Sequence, residues 1–194
     1  MPITVDPNLI KHFKNQEEFR KWLSQNFNKP EGIWLKLFKK SSGIQSISHD
    51  QALDIALCFG WIDGVAKKLD DENSWVQKFT PRRAKSLWSK RNIQHTQRLI
   101  KLGLMTDAGL KEIELAKKDG RWENAYDTQA DFILPEDFLI ELKKDKKAKD
   151  FFAKLNKANK FAIYWRLHTA KKPETREKRM KQFLEMLSKE QKLY

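Results

Sequence analysis

A single cysteine, Cys58, stands in 194 residues, which excludes an intramolecular disulfide and any metal site built from several cysteines. It sits within Ala52-Leu53-Asp54-Ile55-Ala56-Leu57-Cys58-Phe59, an apolar helical context where free cysteine behaves as a small buried hydrophobe. His12, His49, His95 and His168 are scattered and never spaced as a ligand pair, so no metal is expected. No stretch approaches the roughly 18 apolar residues that cross a bilayer. Met1-Pro2-Ile3-Thr4-Val5-Asp6 lacks the basic-then-apolar order of an export signal, and the expected location is cytoplasmic. There is no Gly-x-Ser-x-Gly elbow and no phosphate loop. The sequence therefore points away from an enzyme, and no cofactor is expected.

What is present argues for a folded globular chain: 40% of residues are hydrophobic and 11% aromatic, too many for disorder. The seven tryptophans are large amphipathic rings that either fill a core or line a groove. Net charge is +13 and unevenly spread. From residue 143 onward there are 17 Lys and Arg against 6 Asp and Glu, whereas residues 1–142 hold 22 against 20. Such a basic tail suits a polyanionic partner, whether nucleic acid, an acidic membrane surface or an acidic protein. A merely solvated lysine-rich surface would look the same.

Hydrophobic periodicity and turn chemistry predict an α+β fold: a small antiparallel sheet with packed helices, then a C-terminal basic helical region. Phe19, Trp22 and Leu23 share a helical face that ends at Asn26-Phe27-Asn28-Lys29-Pro30. Residues 32–39 read as a strand. Ser48 to Gln51 reads as a capping box opening a helix over 49–59, with Gly60 as its cap. Segments 65–69 and 74–79 flank Asp70-Asp71-Glu72-Asn73 as a hairpin. Helices are expected over 86–102, 107–118, 135–144, 146–155, 158–170 and 173–190, with a loop over 120–135. Met180, Phe183, Leu184 and Leu187 form an i, i+3, i+4, i+7 stripe, expected to pack on helix 158–170 rather than on a membrane. The expected division is a body over 1–125 and a basic helical region over 126–194.

The segment Leu57-Cys58-Phe59-Gly60-Trp61-Ile62-Asp63-Gly64 and the turn Phe79-Thr80-Pro81-Arg82-Arg83, followed by Ser86-Leu87-Trp88-Ser89-Lys90 and Asn92, look built for recognition. With Gly120-Arg121-Trp122 and Thr169 to Arg176 they make the chain, over about 17–190, closely resemble the YdeI/OmpD-associated, or bacteriocin-protection, family. The resemblance implies a role in resistance to antimicrobial peptides or envelope stress, with a periplasmic setting for some members. It supplies no catalytic residues.

Two site hypotheses follow. In the first, Asp63 and the Arg82-Arg83 turn gather at the mouth of an apolar recess walled by Trp61 and Trp88, with Lys36 adding charge, and bind a small anionic ligand or an acidic partner. The bland reading is that Asp63 caps a turn and pairs with Arg82. In the second, non-specific nucleic-acid binding uses Arg176, Lys178, Arg179 and Lys181 on the last helix.

Overall fold

A computed structural model describes residues 4–193. Met1 to Ile3, part of the stretch read above for an export signal, and Tyr194 lie outside the described residues. The chain forms two compact units: the residues up to Trp88 with Asn92–Asn124, and Ser89–Arg91 with the residues from Ala125 onward.

The first unit is built on a four-stranded sheet of order β1-β2-β4-β3, with β1 at Ile10–Lys11, β2 at Ile33–Phe38, β3 at Trp61–Lys68 and β4 at Ser74–Pro81. The hairpin and the β2–β4 pairing are antiparallel, but β1 runs parallel to β2, so the sheet is mixed rather than purely antiparallel. Ile33, Trp34, Leu35 and Leu37 are buried, as suits an internal strand covered on both faces, while Lys36 and Phe38 are half-buried. Gly32 enters this strand at φ 62°, and a Cβ there would lie 2.2 Å from the Phe79 carbonyl oxygen. Only glycine fits that approach.

Helix α1 (Gln16–Asn26) starts where Asn15 accepts a hydrogen bond from the Glu18 amide, and it buries Phe19 and Leu23. Helix α2 (His49–Cys58) has the expected capping box between Ser48 and Gln51. Gly60, at φ 73°, then turns the chain directly into β3. The Trp-Ile-Asp-Gly segment is therefore the first half of an edge strand. Gly64 falls where the register shifts between Asp63 and Ala66, and its carbonyl accepts a 2.6 Å hydrogen bond from the Gln77 amide. A strand that bulges at a glycine looks like two punctuated fragments in sequence.

Helix α3 spans Lys90–Lys101 and α4 spans Asp107–Lys118. The expected start of α3 at Ser86 is four residues early, because Lys85 adopts a left-handed φ of 69° and the Ser86 amide closes a turn on the Arg83 carbonyl. Helix α4 docks through Gly109, where a Cβ would meet the Cys58 carbonyl oxygen at 2.3 Å.

The second unit holds α5 (Glu136–Lys143), α6 (Lys146–Lys154), α7 (Lys157–His168) and α8 (Pro173–Ser188). Side-chain caps from Asp145 and Asn156 open α6 and α7. One core joins the four helices through Phe138, Leu142, Phe152, Ile163, Leu167, Phe183 and Leu187. The apolar stripe of α8 faces α6 chiefly and α7 as well. Around Asp127 a second tie forms: Lys90 Nζ lies 2.5 Å from one carboxylate oxygen and the Tyr164 hydroxyl donates to the other at 2.8 Å. Burial pushes the Tyr164 phenol up to about 12, so it stays a donor across the physiological range.

Candidate functional site

The strand β3 and the turn after β4 position most of the first candidate set. Trp61 is 0% exposed, and its indole N–H donates to the Phe27 carbonyl at 2.6 Å. Trp22 meets it edge-on at 6.1 Å between centroids. Both halves of the amphipathic ring are thereby used inside the body.

Asp63 points to His49, with 3.1 Å between its carboxylate and Nε2. That hydrogen bond outweighs the burial that works against the charged form, and the His49 imidazole titrates above its ordinary value. Asp63 therefore pairs with His49 and not with Arg82, and about a quarter of each side chain reaches solvent.

Arg82 is only 7% exposed. Its guanidinium lies 3.6 Å from the centroid of the Trp88 ring, itself 2% exposed, while Nη1 donates to Ser86 Oγ at 3.1 Å and to the Leu87 carbonyl at 3.3 Å. Trp122 joins the stack at 5.0 Å from Trp88. Arg83 is exposed. Lys36 pairs with Asp71 at 3.1 Å and covers the Phe38 ring. Of the six side chains named from sequence, the fold brings Arg82 and Trp88 into direct contact. Trp61, Asp63 and Lys36 each turn to a different partner.

Two features of this unit gave little signal in sequence. Asp54 on α2 accepts from His95 Nδ1 at 2.6 Å and from Arg98 Nη2 at 2.6 Å. The i, i+3 spacing of His95 and Arg98 on α3 was the available cue, but their common partner lies 41 and 44 residues away. A cleft of about 740 Å³ opens on the hairpin, lined by Lys39, Lys67, Lys68, Asp71, Glu72 and Trp75 among others. Its walls carry both signs of charge. Among the described residues no group of three or more His, Cys, Asp or Glu is placed to hold a metal ion, and no helix is long and apolar enough to cross a membrane.

The second unit distributes its cations differently from the expectation. Arg176 grips Asp137 with two nitrogens, Nη2 donating to Oδ1 at 2.9 Å, and holds that carboxyl below the usual carboxylate range. Arg179 is half-buried and donates to the Arg166 carbonyl at 2.6 Å. Lys181 pairs with Glu177 at 2.8 Å. Of the four residues proposed to meet phosphates, Lys178 alone is exposed without an ion pair among the described residues. The cations missed are on α6, where Ala148 and Phe152 face the core while Lys146, Lys147 and Lys149 project into solvent. Lys171 and Lys172, before α8, are also exposed. Among the described residues none of these five forms an ion pair.

Residues 11–112 match the model of a domain of unknown function (DUF8412), which takes in Trp61 to Gly64 and the Arg82-Arg83 turn. Residues 131–190, the four-helix unit, match the family described as Bacteriocin-protection, YdeI or OmpD-Associated. The YdeI/OmpD-associated match thus covers the C-terminal part of the 17–190 span over which the resemblance was read, whereas the Trp61 to Gly64 and Arg82-Arg83 motifs fall in the other matched domain. No curated protein and no solved structure matches the chain. Since the first model spans more than half of the sequence and the second covers the remaining helices, the chain belongs to the DUF8412 family and ends in a YdeI/OmpD-associated, bacteriocin-protection-type segment.

Proposed function

We propose that the protein is a non-enzymatic binding protein of the bacteriocin-protection type whose second unit engages nucleic acid through its lysines. The observation that carries this reading is the solvated face of α6 and the chain before α8. There Lys146, Lys147, Lys149, Lys171 and Lys172 stand without ion pairs among the described residues, in a segment whose balance from residue 143 is 17 cations to 6 anions. Lysines held on a helix but not neutralised by their own fold release condensed counterions when they meet phosphates. The same charge argues against direct capture of cationic peptides, so protection in this reading is indirect. Residues 57–92 then serve as scaffold: Trp61, Trp88 and Arg82 hold the sheet, the turn and α3's approach in place.

A gel shift with a single-stranded oligonucleotide at about 50 and 200 mM salt tests the proposal. Binding at the lower salt should weaken by a factor of ten or more at the higher. The variant carrying Lys146→Gln, Lys147→Gln and Lys149→Gln should bind less at both. No shift at low salt, or a shift indifferent to those three changes, contradicts it. Retention by anionic vesicles without any shift would assign the surface to membranes instead.

A further inference from the structure

A second feature of the same unit has chemistry of its own. Ala158, Phe161, Ala162 and Trp165 recur on one face of α7 and, with Arg166 and with Tyr126 and Gln129 from the preceding chain, line an open cleft of about 340 Å³. Its prominent wall is Trp165, 39% exposed, over which no ring or cation lies among the described residues. An isolated exposed tryptophan would mean little. Here it borders a cavity whose next aromatic, Phe161, is steadied by Phe132 at 5.5 Å and Tyr164 at 5.8 Å.

We propose that this cleft takes an unpaired nucleobase stacked on Trp165, so that the protein prefers single-stranded to duplex nucleic acid. The inference rests on the nucleic-acid reading given above. Three observations converge on this occupant. Every base has a π-face, and an open indole supplies the matching one. Gln129 brings an amide that can both donate to and accept from a base edge. Lys157, whose ammonium donates one hydrogen bond to the Ala130 carbonyl at 2.7 Å and keeps its charge exposed, falls on the same i, i+4, i+8 row as Phe161 and Trp165, and exposed Lys171 and Lys172 follow the helix's other end. A base entering the cleft therefore has cations at both ends of α7 for its flanking phosphates. Bases inside a duplex are already stacked and cannot enter without unpairing.

The test is fluorescence anisotropy with a labelled 20-nucleotide single strand and the duplex of the same sequence, at fixed low salt. Wild type should favour the single strand. Trp165→Ala should lower single-strand affinity roughly tenfold, as for the removal of one base stack, and leave duplex affinity unchanged. Trp165→Phe should keep most of the preference, which separates stacking from a folding defect. Equal affinity for both forms, or equal losses on both in Trp165→Ala, overturns the inference while leaving the lysine surface intact. Absence of binding to either form overturns both readings.

Discussion

Arg82 illustrates how one residue can look like a recognition group and act as a packing group. Its guanidinium lies over Trp88 at 3.6 Å from the ring centroid and donates to Ser86 and Leu87, so a desolvated cation–π contact and two charge-assisted hydrogen bonds depend on it. Arg82→Ala should cost about 2–4 kcal/mol in urea unfolding. Arg82→Lys should recover little, because an ammonium cannot stack as a plane or reach both acceptors. Unfolding costs under about 0.5 kcal/mol, the range of ordinary surface changes, would show that the stack contributes little. His49 offers a pH handle. Its hydrogen bond to Asp63 raises the imidazole above 6.5, so the pairing stabilises fully below that pH and its contribution fades as pH rises through the folded-state value. Between pH 5.5 and 8.5, wild type should lose up to about 1 kcal/mol relative to Asp63→Asn, a modest amount because the pair is partly solvated. A pH-independent difference would rule out the linkage.

At the scale of elements, most helices were legible because their signals are local. Ser48 and Gln51 announce α2, the heptad-like stripe of α8 announces a buried face, and Asp145 and Asn156 cap the helices they precede. The strand ends were not. β1 is two residues long and exists only by pairing with β2, while β3 hides its first half behind Gly60 and Gly64. The candidate site failed to assemble as read for a related reason. A tryptophan beside an arginine has the same spelling in a groove and in a core, and only the tertiary partners, Phe27 for Trp61 and the Arg82 plane for Trp88, decide between them. Two substitutions probe the elements directly. Gly109→Ala should destabilise the first unit by about 1–3 kcal/mol by forcing α4 off the Cys58 carbonyl. Phe183→Ala, removing a 3% exposed ring shared by the four C-terminal helices, should cost about 3–5 kcal/mol. A Phe183→Ala protein of native stability would mean the stripe is not a core face.

For the whole molecule, charge is the property that sequence and structure express most consistently. A near-neutral first part and a strongly basic last part are set by composition, and the fold then selects which cations stay available. It commits Arg176, Arg179 and Lys181 to Asp137, the Arg166 carbonyl and Glu177, and leaves the α6 lysines in solvent. That selection makes a quantitative statement about ion release. The salt dependence of single-strand binding, measured as the slope of log K against log salt concentration, should be steep in wild type. It should become shallower by about 2 when Lys146, Lys147 and Lys149 are changed to glutamine, at roughly 0.7 for each phosphate no longer neutralised. Neutralising Arg176, whose charge is already held by Asp137, should leave the slope nearly unchanged. Equal slopes in wild type and the triple variant would mean that these lysines touch no phosphate, and the nucleic-acid role would fall.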